Sequence, residues 1–337
     1  MTPTRVLVVD DSAVVRDVLS RGLSSDPGIE VVGAAPDAFA AWRLIDRVRP
    51  DVITLDLEMP GMNGISFLER LLRFRPLPVV VVSSLTPAGS DLALRALEAG
   101  AVEVVAKPRS TPAAERTLAK LVAIVKGAAG ARVALQGAPT PARLTAPNRA
   151  AQKIVVMGAS TGGTQALQQI LTSLPKTAPG IAVVQHMPEG FTKSFAGRLN
   201  ELCEVEVKEA ADQDVLQPGR VLIAAGDRHL LLRRSGSRFR VDVKNGPLVS
   251  GHRPSVDLLF KSAARWAGRN AVGVLLTGMG KDGARGLLEM RRAGASTVAQ
   301  DEESSVVYGM PREAAAIGAA DRIVPLSRMA ESILELA

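Results

Sequence analysis

Cysteine is almost missing from this chain of 337 residues. Cys203 stands alone, so no internal disulfide can form and packing must hold the fold. One thiol suits a reducing compartment, and Cys203, near the end of a helix-like segment, reads as inert. Aromatics make up only 3% of residues against 47% hydrophobic overall, so the cores are aliphatic. Trp42, Trp266 and Tyr308 are then packing residues rather than cofactor stacks. No apolar run reaches membrane-spanning length, and Asp10 and Asp11 fall where a signal peptide would carry its apolar core; a cytoplasmic location is expected, with no membrane insertion. The net charge is +7, but the basic residues are dispersed and no motif interleaves them with aromatics, so nucleic acid is not an expected partner. Histidine is scarce too. Any imidazole chemistry must use His186, His229 or His252.

What is present is an alternation of apolar runs and helical patterns, enough for two α/β domains. Over residues 1–126 the runs Arg5–Asp10, Glu30–Ala35, Asp51–Asp56, Pro78–Ser83 and Ala101–Ala106 read as strands. Helical patterns separate them, and one from Thr111 to Val125 closes the domain. Five such units predict a doubly wound five-stranded parallel sheet. Their carboxyl ends carry Asp10 and Asp11, Asp56, Ser83 and Lys107, which a parallel sheet brings to one edge. Three carboxylates together repel unless a cation sits among them, and an all-oxygen ligand set favours Mg²⁺. Asp56 can then attack a phosphoryl donor, Lys107 neutralise the phosphate and Ser83 donate a hydrogen bond to it. Residues 127–152, rich in Ala, Gly and Pro, read as a linker.

Residues 153–337 begin with Ile154–Met157, a short buried strand that runs into Gly158-Ala-Ser160-Thr-Gly162-Gly163 and then a helix from Thr164. This turn admits a nucleophile elbow, a phosphate cradle or a plain βα connection. Further strands are expected at Gly180–His186, Ala271–Thr277 and Ala295–Gln300. Arg220–Ala224, His229–Arg234 and Arg238–Val243 read as short antiparallel strands, the last two joined as a hairpin through Ser235-Gly-Ser237. Three strand ends thus carry Ser160, His186 and Asp282: a hydroxyl, a base to deprotonate it and a carboxylate to orient the base. The order Ser…His…Asp differs from the Ser…Asp…His of α/β-hydrolases. Spacing does not choose among the three histidines. His186 is favoured because it caps a buried strand on the same edge as Ser160; His229 follows a turn, and His252 lies in a loop able to line a cleft. No metal-ligand spacing joins them.

Asp10-Asp11, Asp56 with Met59-Pro60 and Gly64, Ser83 and Lys107-Pro108 resemble a response-regulator receiver, with Val104 where many receivers have an aromatic. The resemblance implies a flavodoxin-like fold for this sheet and phosphorylation of Asp56 by a histidine kinase. Gly158–Gly163, Gln185-His-Met-Pro188, Pro218-Gly219, Gly226–His229, His252–Asp257 and Thr277–Gly283 extend the resemblance to the chemotaxis-type protein-glutamate methylesterase/glutaminase (CheB) family, over nearly the whole chain. It implies a C-terminal doubly wound α/β methylesterase domain containing a β-hairpin. Its nucleophile is Ser160, its base His186 and its orienting acid Asp282, with Thr161 supporting the histidine and the Met279 N–H an oxyanion donor. The implied partners are methylated chemoreceptors, with phosphorylation of Asp56 controlling access to Ser160. A DNA-binding response regulator would share the receiver but lack Ser160 and Asp282, whereas an inactive scaffold of the same fold would bind receptor without releasing methanol.

Overall fold

Alternation of strand and helix persists through both parts of the chain. A computed structural model describes residues 2–84, 86–107, 112–131 and 153–337. The chain divides into two compact units, Met1–Gly137 and Ala138–Ala337. Residues 132–152 of the expected linker lie outside the described residues, as does Pro108.

The first unit runs β1 (Thr4–Val9), α1 (Ala13–Ser24), β2 (Ile29–Ala35), α2 (Ala38–Val48), β3 (Val52–Leu55), α3 (Gly64–Phe74), β4 (Val79–Ser83), α4 (Pro87–Glu98), β5 (Glu103–Ala106) and α5 (Pro112–Ala128). The strands form a five-stranded sheet in the order β2-β1-β3-β4-β5, all pairs parallel. β3 and β4 are apolar almost without interruption and wholly buried, as strands covered by helices on both faces must be. Polar residues mark where helices begin: the side chains of Ser12, Asp37 and Asn63 accept from the N–H groups of Val15, Ala40 and Ser66. The order reverses between β1 and β3, so the crevice at their carboxyl ends is the natural ligand position.

The second unit runs β6 (Ile154–Ala159), α6 (Gly163–Thr172), β7 (Ile181–Gln185), α7 (Phe191–Leu202), β8 (Glu206–Glu209), β9 (Val215–Leu216), β10 (Arg220–Ile223), β11 (His229–Ser235), β12 (Arg238–Lys244), α8 (Val256–Trp266), β13 (Ala271–Leu275), α9 (Ala284–Arg292), β14 (Ser296–Gln300), α10 (Met310–Ala316), β15 (Arg322–Val324) and α11 (Met329–Leu336). Seven strands form one parallel sheet, β15-β14-β13-β6-β7-β10-β8, and β11-β12-β9 form a small antiparallel one. The hairpin over Ser235–Arg238 is therefore where its turn signal places it.

One strand corrects the sequence reading. Arg220–Ala224 is not part of an antiparallel set: β10 pairs parallel with β7 on one side and β8 on the other. Its core, Val221-Leu222-Ile223, is fully buried, as in the interior of a parallel sheet. The chain reaches it from β7 through α7 and β8, a crossover that returns in the same direction. The main sheet reverses its order between β6 and β13, and the site lies there.

Candidate functional sites

At the receiver edge, Asp10 and Asp56 leave neighbouring strands, since Val9 pairs with Leu55. Both are buried, whereas Asp11 is exposed. Carboxylate oxygens of Asp10, Asp11 and Asp56 all lie within 4.8 Å of one another. Lys107 Nζ donates to Asp56 Oδ2 at 2.7 Å and stands 3.1 Å from Asp10 Oδ2. Asp10 Oδ2 is buried, and among the described residues Lys107 Nζ is the one donor group near it. Burial raises the Asp10 pKa above its ordinary value, and Lys107 and the Ser12 N–H only partly offset this. Burial works against the charge of Lys107, but its bond to Asp56 and the charges of Asp56 and Asp10 outweigh that and raise its pKa. An all-oxygen set with a buried, underbonded carboxylate fits a hard divalent cation. Ser83 ends β4 on the same edge, and its hydroxyl donates to Gly89 O at 3.2 Å. Val104 is buried and pairs with Val81 across β4 and β5, so an aliphatic side chain packs where an aromatic is usual.

In the second unit, Ser160 follows β6 directly. Its N–H donates to Thr277 O at 3.0 Å, which ties the turn to the loop after β13. Gly162 has φ +76, and a Cβ there would lie 2.5 Å from Val306, so only glycine suits the turn. Gly278 lies against the serine itself: a Cβ on it would stand 2.7 Å from Ser160 Cβ. The pair Ala159–Gln185 ends the β6–β7 ladder, so Ser160 and His186 leave the sheet side by side.

His186 and Asp282 are both buried and joined Nε2 to Oδ2 at 2.9 Å. Asp282 is not at a strand end, as the sequence suggests: β13 stops at Leu275, and Asp282 lies in the turn before α9. From there it caps α8. Its Oδ2 accepts from Val256 N at 2.8 Å, and its Oδ1 accepts from Asp257 N at 3.0 Å and Ser255 Oγ at 2.9 Å. A carboxylate on a helix N-terminus is favoured by the unpaired N–H groups and by the helix dipole. Burial would raise the Asp282 pKa, but the hydrogen bond and charge of His186 and the two backbone donors outweigh it, so the carboxyl titrates below its ordinary value. An ionised carboxylate only accepts, so His186 Nε2 carries a proton in this bond. His186 Nδ1 is buried and has no hydrogen-bond partner among the described residues.

The other histidines separate clearly. His229 Nε2 bonds Pro247 O at 2.9 Å. His252 stacks flat on His186, with ring centroids 3.7 Å apart. Thr161 makes no hydrogen bond to His186; its carbonyl accepts from Thr277 Oγ1 at 3.0 Å. Among the described residues no hydrogen bond takes the N–H of Met279, the residue after Gly278. Residue patterns alone passed over Gln185, whose Nε2 donates to Ser160 O at 2.9 Å and reaches His186 O at 3.4 Å. Its place beside His186 was the available signal. Ser255 and the backbone donors of α8 carried none. A hydroxyl and an imidazole at one sheet edge, with an ionised carboxylate reaching the imidazole from the turn before α9, form a set able to perform acyl transfer.

Residues 155–333 match the CheB methylesterase family, and residues 6–119 match the response regulator receiver domain. The chain belongs to the CheB methylesterase family, with a receiver domain ahead of the methylesterase domain. It is 57% identical over 350 aligned positions to the protein-glutamate methylesterase/protein-glutamine glutaminase 5 of Anaeromyxobacter dehalogenans, covering 99% of this chain and 97% of that one. It is 50% identical over 341 positions to the corresponding protein 2 of Pseudomonas aeruginosa, covering 99% and 97%. The CheB methylesterase catalytic domain of Thermotoga maritima superposes with a TM-score of 0.54 at 42% identity, covering 55% of this chain and 98% of that domain. No helix among the described residues is long and apolar enough to cross a membrane.

Proposed function

We propose that this chain hydrolyses glutamate γ-methyl esters on chemoreceptors, releasing methanol, and deamidates receptor glutamines, under control of phosphorylation at Asp56. Residues 1–126 are the regulatory domain, 127–152 the connection and 153–337 the catalytic domain. The observation that carries the reading is the buried His186–Asp282 pair beside Ser160 at the reversal point of the parallel sheet.

Ser160 Oγ attacks the γ-carbonyl carbon while His186 Nδ1 takes its proton. Asp282 holds the opposite N–H and stabilises the imidazolium. The carbonyl oxygen becomes an oxyanion, met by the N–H of Met279; one such donor contributes about 3 kcal/mol to the transition state. Collapse breaks the bond to the methoxy oxygen, which leaves with the proton from His186 as methanol. Water, deprotonated by the same imidazole, then attacks the acyl-enzyme and restores Ser160 with a free glutamate. With a glutamine side chain the leaving group is ammonia. Thr161 contributes through its carbonyl, which accepts from Thr277 Oγ1 and ties the Ser160 turn to the loop after β13, rather than through a bond to the histidine.

On the receiver, a partner histidine kinase donates the phosphoryl group to Asp56. Asp10, Asp11 and Asp56 would hold Mg²⁺, which when bound neutralises charge on the phosphoryl oxygens. Lys107 neutralises more of it, and the Ser83 hydroxyl turns from Gly89 to bond a phosphoryl oxygen. The test is Ser160→Ala. Methanol release from methylated receptor membranes should fall to background with the melting temperature unchanged; near wild-type release would refute the assignment.

A further inference from the structure

Among the described residues the His186 ring makes one hydrogen bond, from Nε2 to Asp282. A single bond fixes a point on the ring and leaves it free to turn about that axis. Such a turn would cost the alignment that proton transfer from Ser160 requires. The element that removes this freedom is a flat face. The His252 ring lies over His186 with centroids 3.7 Å apart and planes within 4° of parallel. We propose that His252 is a positioning residue for the esterase reaction, acting through the plane of its ring on the base. The inference rests on the reading of His186 as that base.

The way His252 is itself held supports the role. Val249 and His252 exchange both backbone hydrogen bonds, at 3.0 and 2.9 Å, closing a tight turn. Its two inner residues, Ser250 and Gly251, have φ of 52 and 81, so the turn keeps a left-handed serine that an unconstrained loop would shed. Ser250 Oγ donates to Asp257 Oδ2 at 3.1 Å. Asp257 Oδ1 accepts from Gly286 N at 2.8 Å, which anchors that side chain to α9. The Asp257 N–H meanwhile donates to Asp282 Oδ1. On the far side, Arg253 binds Asp227 Oδ1 through Nε at 2.8 Å and Nη2 at 2.6 Å. The contacts close a circuit. Asp282 orients His186 directly by a bond, and through the first turn of α8 it also anchors the turn whose ring orients His186 by its face. His229, the remaining histidine, is in the hairpin and takes no part.

The experiment uses the full chain as wild type, His252→Ala, His252→Phe and Ser250→Ala. Three quantities are read for each: kcat and KM for methanol release from methylated receptor, the rate at which a fluorophosphonate probe labels Ser160, and the melting temperature. Removing the face in His252→Ala should lower kcat and the labelling rate about tenfold or more while KM stays within about twofold. His252→Phe restores a flat face without imidazole chemistry and should return both rates to within about threefold of wild type. Ser250→Ala, which frees the turn from Asp257, should fall between them. The proposal is overturned if His252→Ala keeps kcat within twofold of wild type, or if His252→Phe is as slow as His252→Ala. Should His252→Ala fail to fold, the other two decide: near wild-type labelling in His252→Phe with slowed labelling in Ser250→Ala supports the role, and unchanged labelling in Ser250→Ala overturns it. A wild type that takes the probe but releases no methanol refutes the proposed substrate, and the labelling rates alone then judge His252. A wild type that does neither overturns both.

Discussion

Asp282 occupies two roles at once, helix cap and partner of His186, and Asp282→Asn separates them. The exchange conserves volume, so no cavity opens. It replaces one accepting oxygen with an NH₂ group, and both oxygens face two donors in the native site. If the NH₂ takes the Oδ1 position, Ser255 Oγ can rotate to accept, but Asp257 N–H loses its partner. If it takes the Oδ2 position, His186 can change tautomer, but Val256 N–H loses its partner. Either way one buried N–H is stranded, which costs about 1–3 kcal/mol. For a domain of this size the melting temperature should fall by about 2–4 °C for each kcal/mol. The catalytic loss should be far larger. Without the carboxylate the imidazolium has no counter-charge, and with NH₂ at the Oδ2 position the wrong tautomer is favoured as well; for such an exchange in a triad the loss in kcat is about 10⁴-fold. Methanol release measured beside thermal melting reads both effects. A variant whose melting falls while kcat stays within about tenfold of wild type would make Asp282 a cap and nothing more. The acid dependence adds a second check. The folded-state pKa is depressed, so its stabilisation is complete above an unfolded value of about 3.9 and is lost as pH falls through the lower folded value. The melting difference between wild type and variant should therefore shrink below about pH 4.

Two further outcomes follow from the same geometry. Partial burial pushes the Cys203 thiol up to about 12, so at pH 8 iodoacetamide should alkylate native protein far more slowly than unfolded protein; equal rates would contradict the shift. Asp56→Asn, or chelation of Mg²⁺, should abolish phosphoryl incorporation from a small-molecule phosphodonor and the accompanying change in esterase rate. The basal rate should persist, and loss of basal activity on chelation alone would argue for a metal in the esterase reaction itself.

Most of the sheet edges were legible because each functional group closes an apolar run. Val6–Val9 delivers Asp10, Val52–Leu55 delivers Asp56, and Ile181–Val184 leads to His186. Periodicity reports such runs well, since burial on both faces demands unbroken apolar sequence. The direction of β10 was not legible, because Val221-Leu222-Ile223 has the same letters whether its neighbours run with or against it. The edge strand β8, Glu-Val-Lys-Glu, escaped because charged residues blunt an edge and erase its apolar signal. Within the site, residue types pointed to Ser160, His186 and Asp282, but not to what surrounds Asp282. Its strongest partners include the backbone N–H groups of Val256 and Asp257, and a backbone donor leaves no trace in residue identity. Nor does spacing encode ring orientation, so His252 could be placed in a loop but not on the face of His186.

The reversal of strand order between β6 and β13 bears on when the enzyme becomes active during its own synthesis. Asp282 follows His186 by 96 residues. A ribosome adds about 5–20 residues per second, so Ser160 and His186 are made at least several seconds before their acid partner. Until β13 inserts beside β6, the N–H groups of Val256 and Asp257 lack the Asp282 carboxylate and His186 lacks its hydrogen-bond partner. On the proposed mechanism, a chain ending before Asp282 should be hydrolytically silent, and esterase activity should appear only with the long-range closure that completes the sheet.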